Sequence, residues 1–212
     1  MADSIVTVEN VSLKYKKTVL TNVTINAEKG DVIGLLGLNG SGKSTLLSAI
    51  AGLRKTSAGT IKVNGKAGFV TQENALIDEL TAIDNLKMWT PLSRQEIVKE
   101  LTETELSILK VNDFIDLKVK RMSGGMKKRL AIASVLLSKP DILLLDEPLA
   151  ALDIPAKNDI IKFIDSFRAK GGTVFIASHS EEMFKHCSKI YLLKNGASSL
   201  LPSGTPLSEA LG

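Results

Sequence analysis

The chain has 212 residues, of which 44% are hydrophobic and 24% charged, a balance that is typical of globular proteins and excludes a disordered or fibrous chain. Its 27 Lys and Arg against 23 Asp and Glu give a net charge of +4, which suits an anionic ligand or a membrane surface but is too small to indicate nucleic-acid binding. The single cysteine, Cys187, excludes an intramolecular disulfide and fits a reducing compartment.

The sequence predicts neither a membrane-spanning segment nor a signal peptide. The apolar run at 130–137 is far shorter than the ~20 residues that a spanning helix needs. The first residues, Met1 to Ser4, lack the basic-then-apolar pattern of a signal peptide. We therefore expect a cytosolic protein, or a peripheral subunit attached to proteins that cross the membrane.

The first third of the chain is predicted to form strands. Apolar and polar residues alternate from Ile5 to Ile25, as in antiparallel strands with one solvent-facing side. Residues 31–36, DVIGLL, are instead continuously apolar, which favours a buried parallel strand. A helix is predicted at 43–53, with Leu53 on its apolar face. Two short strands are predicted at 61–63 and 68–71, separated by an Asn64-Gly65 turn.

The rest of the chain is predicted to contain a helical insert followed by alternating helices and strands. From about 73 to 122, apolar residues recur at helical spacing among many charges, and Pro91 followed by Ser93 as a helix cap splits this segment. Helices are then predicted at 130–137 and 155–170, buried strands at 142–145 and 173–177, and a closing hairpin around Asn195-Gly196. We expect one α/β domain with a mostly parallel core sheet and an N-terminal antiparallel β subdomain, formed by residues 1–72 and 123–212, and a small α-helical insert at about 73–122.

A glycine-rich loop lies between the predicted strand at 31–36 and the helix that follows. Residues 37–45, GLNGSGKST, match G-x-x-x-x-G-K-[ST], the phosphate-binding P-loop, in the strand–helix context that this motif requires. Its glycines let main-chain N–H groups turn toward a phosphate, Lys43 supplies a cation for the β- and γ-phosphates, and Ser44 offers a hydroxyl to Mg²⁺. The predicted phosphate-binding residues are Gly37, Leu38, Asn39, Gly40, Ser41, Gly42, Lys43, Ser44 and Thr45.

Two acidic residues follow the buried strand in residues 142–148, ILLLDEP. Ligands of open α/β sheets bind at the carboxyl ends of the strands. Because adjacent strand residues point in opposite directions, we expect Asp146 and Glu147 to have different roles. Asp146 can reach Mg²⁺, through a water molecule, and Glu147 can polarise the water that attacks the γ-phosphate.

Three further segments complete a recognisable set: MSGGM at 122–126, Ala151-Leu152-Asp153 after the acid pair, and His179 after a buried strand. Together with the P-loop and the acid pair, they resemble the nucleotide-binding subunits of ABC (ATP-binding cassette) transporters, over almost the whole chain. The insert is compact, as in smaller export-type members. The signature loop of this family commonly reads LSGGQ, whereas Met122 and Met126 stand at its two ends here.

The resemblance implies ATP and Mg²⁺ as ligands. It implies that Tyr15 stacks on adenine, that Gln72 contacts Mg²⁺ and senses the γ-phosphate, and that His179 contacts the γ-phosphate. The residues of the signature loop and of the subunit interface that it implies are Ser123, Gly124, Gly125 and Asp153. From the residues alone, the alternatives are that Tyr15 is a packed aromatic, Gln72 a solvated loop residue and His179 a packed or surface histidine.

Three cations at 127–129 follow the signature loop, in the first turns of a predicted helix, where positive charge is unfavourable. Either a neighbouring anion offsets this cost, or the three side chains form a solvated basic face.

The expected function is that of an ATP-hydrolysing subunit of an ABC transporter. Two copies, or this chain and a paralogue, would pair head to tail, with each ATP between the P-loop of one and the signature loop of the other. Separate transmembrane chains would be bound through the helical insert, at the cytoplasmic face of the membrane. Met88 and Trp89 could contact them, or Trp89 could fill the core of the insert. The alternatives are an ABC-type ATPase not coupled to transport, and a P-loop kinase or GTPase, against which the signature loop and His179 argue.

Overall fold

The strands form two sheets. The computed structural model describes residues 4–14 and 18–211. The strands of the chain are β1 (Ser4–Lys14), β2 (Thr18–Glu28), β3 (Val32–Leu36), β4 (Ala58–Val63), β5 (Ala67–Val70), β6 (Ile142–Asp146), β7 (Thr173–Ala177), β8 (Lys189–Lys194) and β9 (Ala197–Leu200). One sheet is antiparallel with the order β2-β1-β4; the other has the order β5-β6-β7-β3-β8-β9 and is parallel except for the β8–β9 pair.

The helices cover the core sheet and fill the insert. They are α1 (Lys43–Ile50), α2 (Ala82–Lys87), α3 (Arg94–Glu103), α4 (Gly124–Leu136), α5 (Ile154–Ala169), α6 (Glu181–Phe184) and α7 (Leu207–Leu211), with 3₁₀ turns at Glu105–Leu109, Val111–Phe114 and Val119–Arg121. None of the helices within the described ranges has both the length and the apolar character that crossing a bilayer requires.

The central strands of the core sheet are buried on both faces, which explains their continuous apolar runs. Every residue of β3, β6 and β7 is buried. Because these three strands are parallel neighbours, their carboxyl ends lie along one edge of the sheet. The expected α/β fold, with a parallel core sheet and a separate antiparallel sheet, is confirmed.

The prediction for the end of α1 is corrected, and the structure shows how the two strands on either side of Asn64-Gly65 pair. The helix ends at Ile50 because Gly52 adopts a left-handed conformation (φ +75°), so Leu53 lies beyond it and is 70% exposed. The turn at Asn64-Gly65 joins strands of different sheets, since β4 pairs with β1 and β5 pairs with β6. Both pairings join segments distant in sequence, so the turn residues carried no information about them.

Helix α3 begins as predicted, after Pro91. The Ser93 hydroxyl accepts a hydrogen bond from the Glu96 amide, and the Glu96 carboxylate accepts one from the Ser93 amide, which forms a capping box. Trp89, by contrast, is 53% exposed, so the interpretation that it fills the core of the insert is wrong. It follows the end of α2, whose buried residues include Leu86, and therefore lies outside the packed face of that helix.

The three cations near the start of α4 do not form a solvated basic face. Lys127 Nζ lies 3.0 Å from Asp78 Oδ1, and Arg129 Nη1 lies 3.1 Å from the buried carboxylate of Asp159 on α5. Lys128 is itself buried. Carboxylates of this chain therefore offset the positive charge of Lys127 and Arg129 at this helix end, and Arg129 ties α4 to α5.

Candidate functional site

The glycine-rich loop between β3 and α1 has a backbone that only glycine allows at several positions. Gly40 and Gly42 have φ values of +81° and +100°. A Cβ atom at Gly37 would lie 2.5 Å from Ser41 Oγ and 2.6 Å from the Leu193 carbonyl oxygen, which real structures do not tolerate. The loop is thus shaped to leave its main-chain N–H groups, and those at the start of α1, open to an anion.

Lys43, the first residue of α1, extends its ammonium group over this loop. Its Nζ donates hydrogen bonds to the carbonyl oxygens of Gly37 (2.7 Å) and Leu38 (3.2 Å). Burial lowers the pKa of Lys43, and the negative charges of Glu147 and Asp146 partly oppose this change. A cation is therefore held at the mouth of the loop, close to the acid pair at the end of β6.

Asp146 and Ser44 bring two oxygen ligands together at the other side of the loop. Burial raises the pKa of Asp146, while a hydrogen bond with the Ser44 side chain and the charges of Lys43 and Lys128 oppose this shift. Gln72 lines the same cleft. A carboxylate, a hydroxyl and an amide oxygen beside a phosphate-binding loop are the kind of donors that Mg²⁺ takes together with substrate phosphates, so the residues present fit this ion.

Glu147 lies in the same cleft as Asp146, contrary to the expectation that the two side chains point in opposite directions. The strand ends at Asp146, and Glu147 adopts a left-handed conformation with φ +47°, so strand alternation no longer applies to it. Glu147 Oε1 lies 2.9 Å from His179 Nδ1, and Glu147 Oε2 accepts a hydrogen bond of 3.3 Å from Ser178 Oγ. Two residues at the end of β7 therefore orient this carboxylate.

Most of the predicted site residues line one cleft of about 370 Å³. The residues that line it are Val19, Asn39, Gly40, Ser41, Gly42, Lys43, Ser44, Thr45, Gln72, Asp146, Glu147, Ala150 and His179. His179 has a side chain that is 68% exposed, so its imidazole faces the opening of the cleft, although it contacts Glu147. Tyr15 lies outside the described residues.

The signature loop lies apart from this cleft. Ser123 caps α4 by accepting a hydrogen bond from the Met126 amide (3.2 Å), and Asp153 caps α5 by accepting one from the Ala156 amide (2.9 Å). Gly124 and Gly125 form the first turn of α4, and a Cβ atom at Gly125 would lie 2.7 Å from that of Ala156. The first turn of α4 is therefore packed closely against the start of α5.

The two methionines of the signature loop keep apolar roles. Met122 is buried, and Met126 packs against the main hydrophobic cluster. The position at which the family commonly has glutamine thus carries a side chain that contributes to packing.

Sequence reasoning missed two residues that contact the predicted site. Ser178 immediately precedes His179 and could have been found, because it follows a buried strand at the same sheet edge. Lys128, which contacts the backbone of Gln72, had no detectable signal, since a lysine in a basic run reads as exposed.

A parallel sheet with a phosphate-binding loop after β3 and an acid pair at the end of β6 defines a P-loop nucleoside triphosphatase. The model of the ABC transporter family matches residues 20–150. The chain is 34% identical to the linearmycin resistance ATP-binding protein LnrL of Bacillus subtilis (strain 168), over 96% of this chain and 71% of that protein. It is 33% identical to the lipoprotein-releasing system ATP-binding protein LolD of Francisella tularensis subsp. tularensis (strain FSC 198), over 95% and 98%.

A similar solved structure is the dimeric, post-hydrolysis ATP-binding cassette MJ0796 bound to ADP and Pi, with a TM-score of 0.81 and 29% identity, over 93% of this chain and 99% of that chain. The chain therefore belongs to the ABC transporter family, as an ATP-binding subunit that hydrolyses ATP to drive transport.

Proposed function

We propose that ATP is hydrolysed in the cleft that the P-loop, the acid pair, Gln72 and His179 line together. This convergence is the observation that carries the proposal. The loop amides and Lys43 would hold the β- and γ-phosphates, and Ser44, Gln72 and Asp146 would hold Mg²⁺. When bound, the ion neutralises negative charge on the phosphate oxygens.

Glu147 is proposed as the general base. Its carboxylate is buried, oriented by Ser178 and His179, and able to accept a proton from the water that attacks the γ-phosphate. His179 would position Glu147 through the 2.9 Å contact and present the exposed part of its ring to the γ-phosphate.

Replacing His179 with alanine should lower ATP turnover by about a hundredfold, because Glu147 loses its orienting partner, while ATP affinity is retained. Phosphate release and nucleotide binding measure the two effects. His186→Ala is the matched control, because the other histidine pairs with Asp165 outside the cleft and should leave turnover unchanged. A His179→Ala variant with full activity would contradict the assigned role.

The signature loop and Asp153 are proposed to serve a second ATPase subunit, either another copy or a paralogue, in a head-to-tail pair. Ser123, Gly124 and Gly125 stand at the N-terminus of the 13-residue helix α4, whose first turn contains no acidic residue and whose dipole favours an anion. These residues do not line the cleft of their own chain. A pair would place each signature loop over the ATP of the opposite subunit.

Separate transmembrane subunits are proposed as the binding partner of the face around Trp89, which would place this chain at the cytoplasmic side of the membrane. Met88 and Trp89 are 57% and 53% exposed, and Trp89 borders a small pocket with Phe69, Thr71 and Asn74, next to Gln72. Contacts on this face would therefore lie close to the cleft.

The names of the two relatives concern resistance and release, which supports export as the direction of transport.

Replacing Trp89 with alanine should reduce the fraction of the chain that sediments with native membranes about tenfold or more, since buried interface tryptophans contribute a large share of binding energy. Leu53→Ala, at an exposed leucine beyond the end of α1, is the matched control and should sediment like the wild type. Equal loss in both variants, or loss in neither, would count against this face as the docking site.

A further inference from the structure

Lys128, in the second turn of α4, is 4% exposed. Its Nζ donates hydrogen bonds to the carbonyl oxygens of Thr71 (3.3 Å) and Gln72 (3.2 Å). Burial lowers the pKa of this ammonium group, and the charges of Asp146 and Glu147 partly oppose the change. A lysine is rarely buried, because removing its charge from water is costly. The burial of Lys128 therefore needs a specific explanation.

The two carbonyl groups belong to the segment that leaves β5 at Val70, beyond the last residue of that strand. Beyond the end of β5 these carbonyls have no partner in the sheet ladder and are free to accept from another donor. Lys128 supplies this donor from α4, an element that is remote from β5 in the sequence. The position of the Gln72 backbone is therefore set by α4 rather than only by the end of its own strand.

Helix α4 also carries the signature loop. Gly124 and Gly125 begin this helix, and Lys128 follows in its second turn, on a rigid element. Gln72 lines the cleft of the same chain. One side chain thus connects the element proposed to cover the ATP of the opposite subunit with a proposed ligand in the chain's own ATP site.

We propose that Lys128 is a positioning residue that couples the two ATP sites of the pair, because its hydrogen bonds make the position of Gln72 follow that of α4. The inference rests on the roles proposed above for Gln72 and for Ser123 to Gly125. When the start of α4 shifts against the opposite nucleotide, the backbone at 71–72 shifts with it, and the Gln72 side chain moves relative to Ser44 and Asp146.

The first test uses the nucleotide-free protein and needs no metal. Lys128→Met keeps the aliphatic stem and removes the ammonium group, whereas Lys127→Met removes an equal charge from the adjacent position of the same helix. Amide hydrogen exchange of a peptide covering 70–73 should become about tenfold faster in Lys128→Met, because the carbonyl groups of Thr71 and Gln72 lose the hydrogen bonds that hold the segment against α4 and the segment opens more often. It should stay within about twofold of the wild type in Lys127→Met. Wild-type exchange in Lys128→Met would overturn the inference.

Lys128→Gln serves as a second variant in case Lys128→Met does not fold. The glutamine amide is uncharged and one atom shorter than the lysine side chain, so it bonds the two carbonyls more weakly, and exchange at 70–73 should lie between wild type and Lys128→Met. Exchange in Lys128→Gln that equals the wild type would overturn the inference just as firmly.

The second test follows the Mg²⁺ requirement. Lys128→Met should raise the Mg²⁺ concentration for half-maximal ATP turnover, and the concentration that half-maximally changes the emission of Trp89, the only tryptophan of the chain, by about tenfold. ATP affinity measured in EDTA should be unchanged, a separation that general loss of structure would not produce. Lys127→Met should retain the wild-type Mg²⁺ requirement.

Gln72→Ala separates failure of this inference from failure of the proposed site. If Gln72→Ala has a raised Mg²⁺ requirement and Lys128→Met does not, the coupling through Lys128 is wrong while the site stands. If Gln72→Ala itself behaves like the wild type, the role proposed for Gln72 is wrong, and the inference is overturned with it.

Discussion

Replacing Lys43 with alanine should lower ATP turnover about a thousandfold or more. The ammonium group lies over the P-loop, 2.7 Å from the Gly37 carbonyl, where the β- and γ-phosphates are expected to bind. No neighbouring side chain of the loop offers a replacement charge, since residues 37–42 are all uncharged. Loss of a preorganised positive charge at a phosphoryl-transfer site has effects of this size. Phosphate release under saturating ATP measures the change.

Lys62→Ala is the matched control for this experiment. Lys62 is an exposed lysine on β4, in the antiparallel sheet, and its loss removes the same charge without touching the cleft. It should hydrolyse ATP at the wild-type rate. If Lys43→Ala also hydrolysed ATP at the wild-type rate, the P-loop would not be part of the catalytic site, and the site described above would be wrong.

Exchanging Glu147 for glutamine should leave ATP binding intact and slow hydrolysis by about 10²- to 10⁴-fold, the usual contribution of a positioned general base. The amide has the size of the carboxylate and can still accept the hydrogen bond from Ser178, but it does not take a proton from water. Single-turnover hydrolysis and equilibrium binding of ATP distinguish these two effects.

The same variant tests the head-to-tail pair. With hydrolysis slowed, bound ATP should hold two subunits together, so Glu147→Gln with ATP should elute as a dimer in gel filtration and as a monomer without it. Adding Ser123→Arg, which places a bulky cation at the start of α4, should abolish the dimer without removing ATP from the cleft of the same chain. A Glu147→Gln variant that stays monomeric with ATP would speak against the pair.

The P-loop was predictable because its chemistry is local. Its glycines, lysine and serine are consecutive, and their function depends on backbone conformations that the residue types themselves allow. The buried strands were equally clear, since β3, β6 and β7 are covered on both faces and therefore lack polar alternation. The cap at Ser93 followed from the same kind of short-range pattern.

What the sequence did not reveal depends on contacts between distant segments. Strand β4 pairs with β1 and β5 with β6, a division that the turn between them does not encode. The direction of Glu147 depends on a left-handed backbone conformation, which is rare outside glycine and asparagine. Lys128 is buried, and the Thr71 and Gln72 carbonyls that it contacts come from another part of the fold.

The buried surroundings of Cys187 change what this residue indicates about redox conditions. Burial raises the pKa of its thiol to about 12, so at neutral pH almost none of it is the reactive thiolate. The residue would remain unoxidised in most settings, and its presence therefore says little about redox conditions. The low reactivity of Cys187 is useful for labelling experiments. A cysteine introduced on an exposed face could be labelled selectively with a spectroscopic probe, while the natural thiol stays in place.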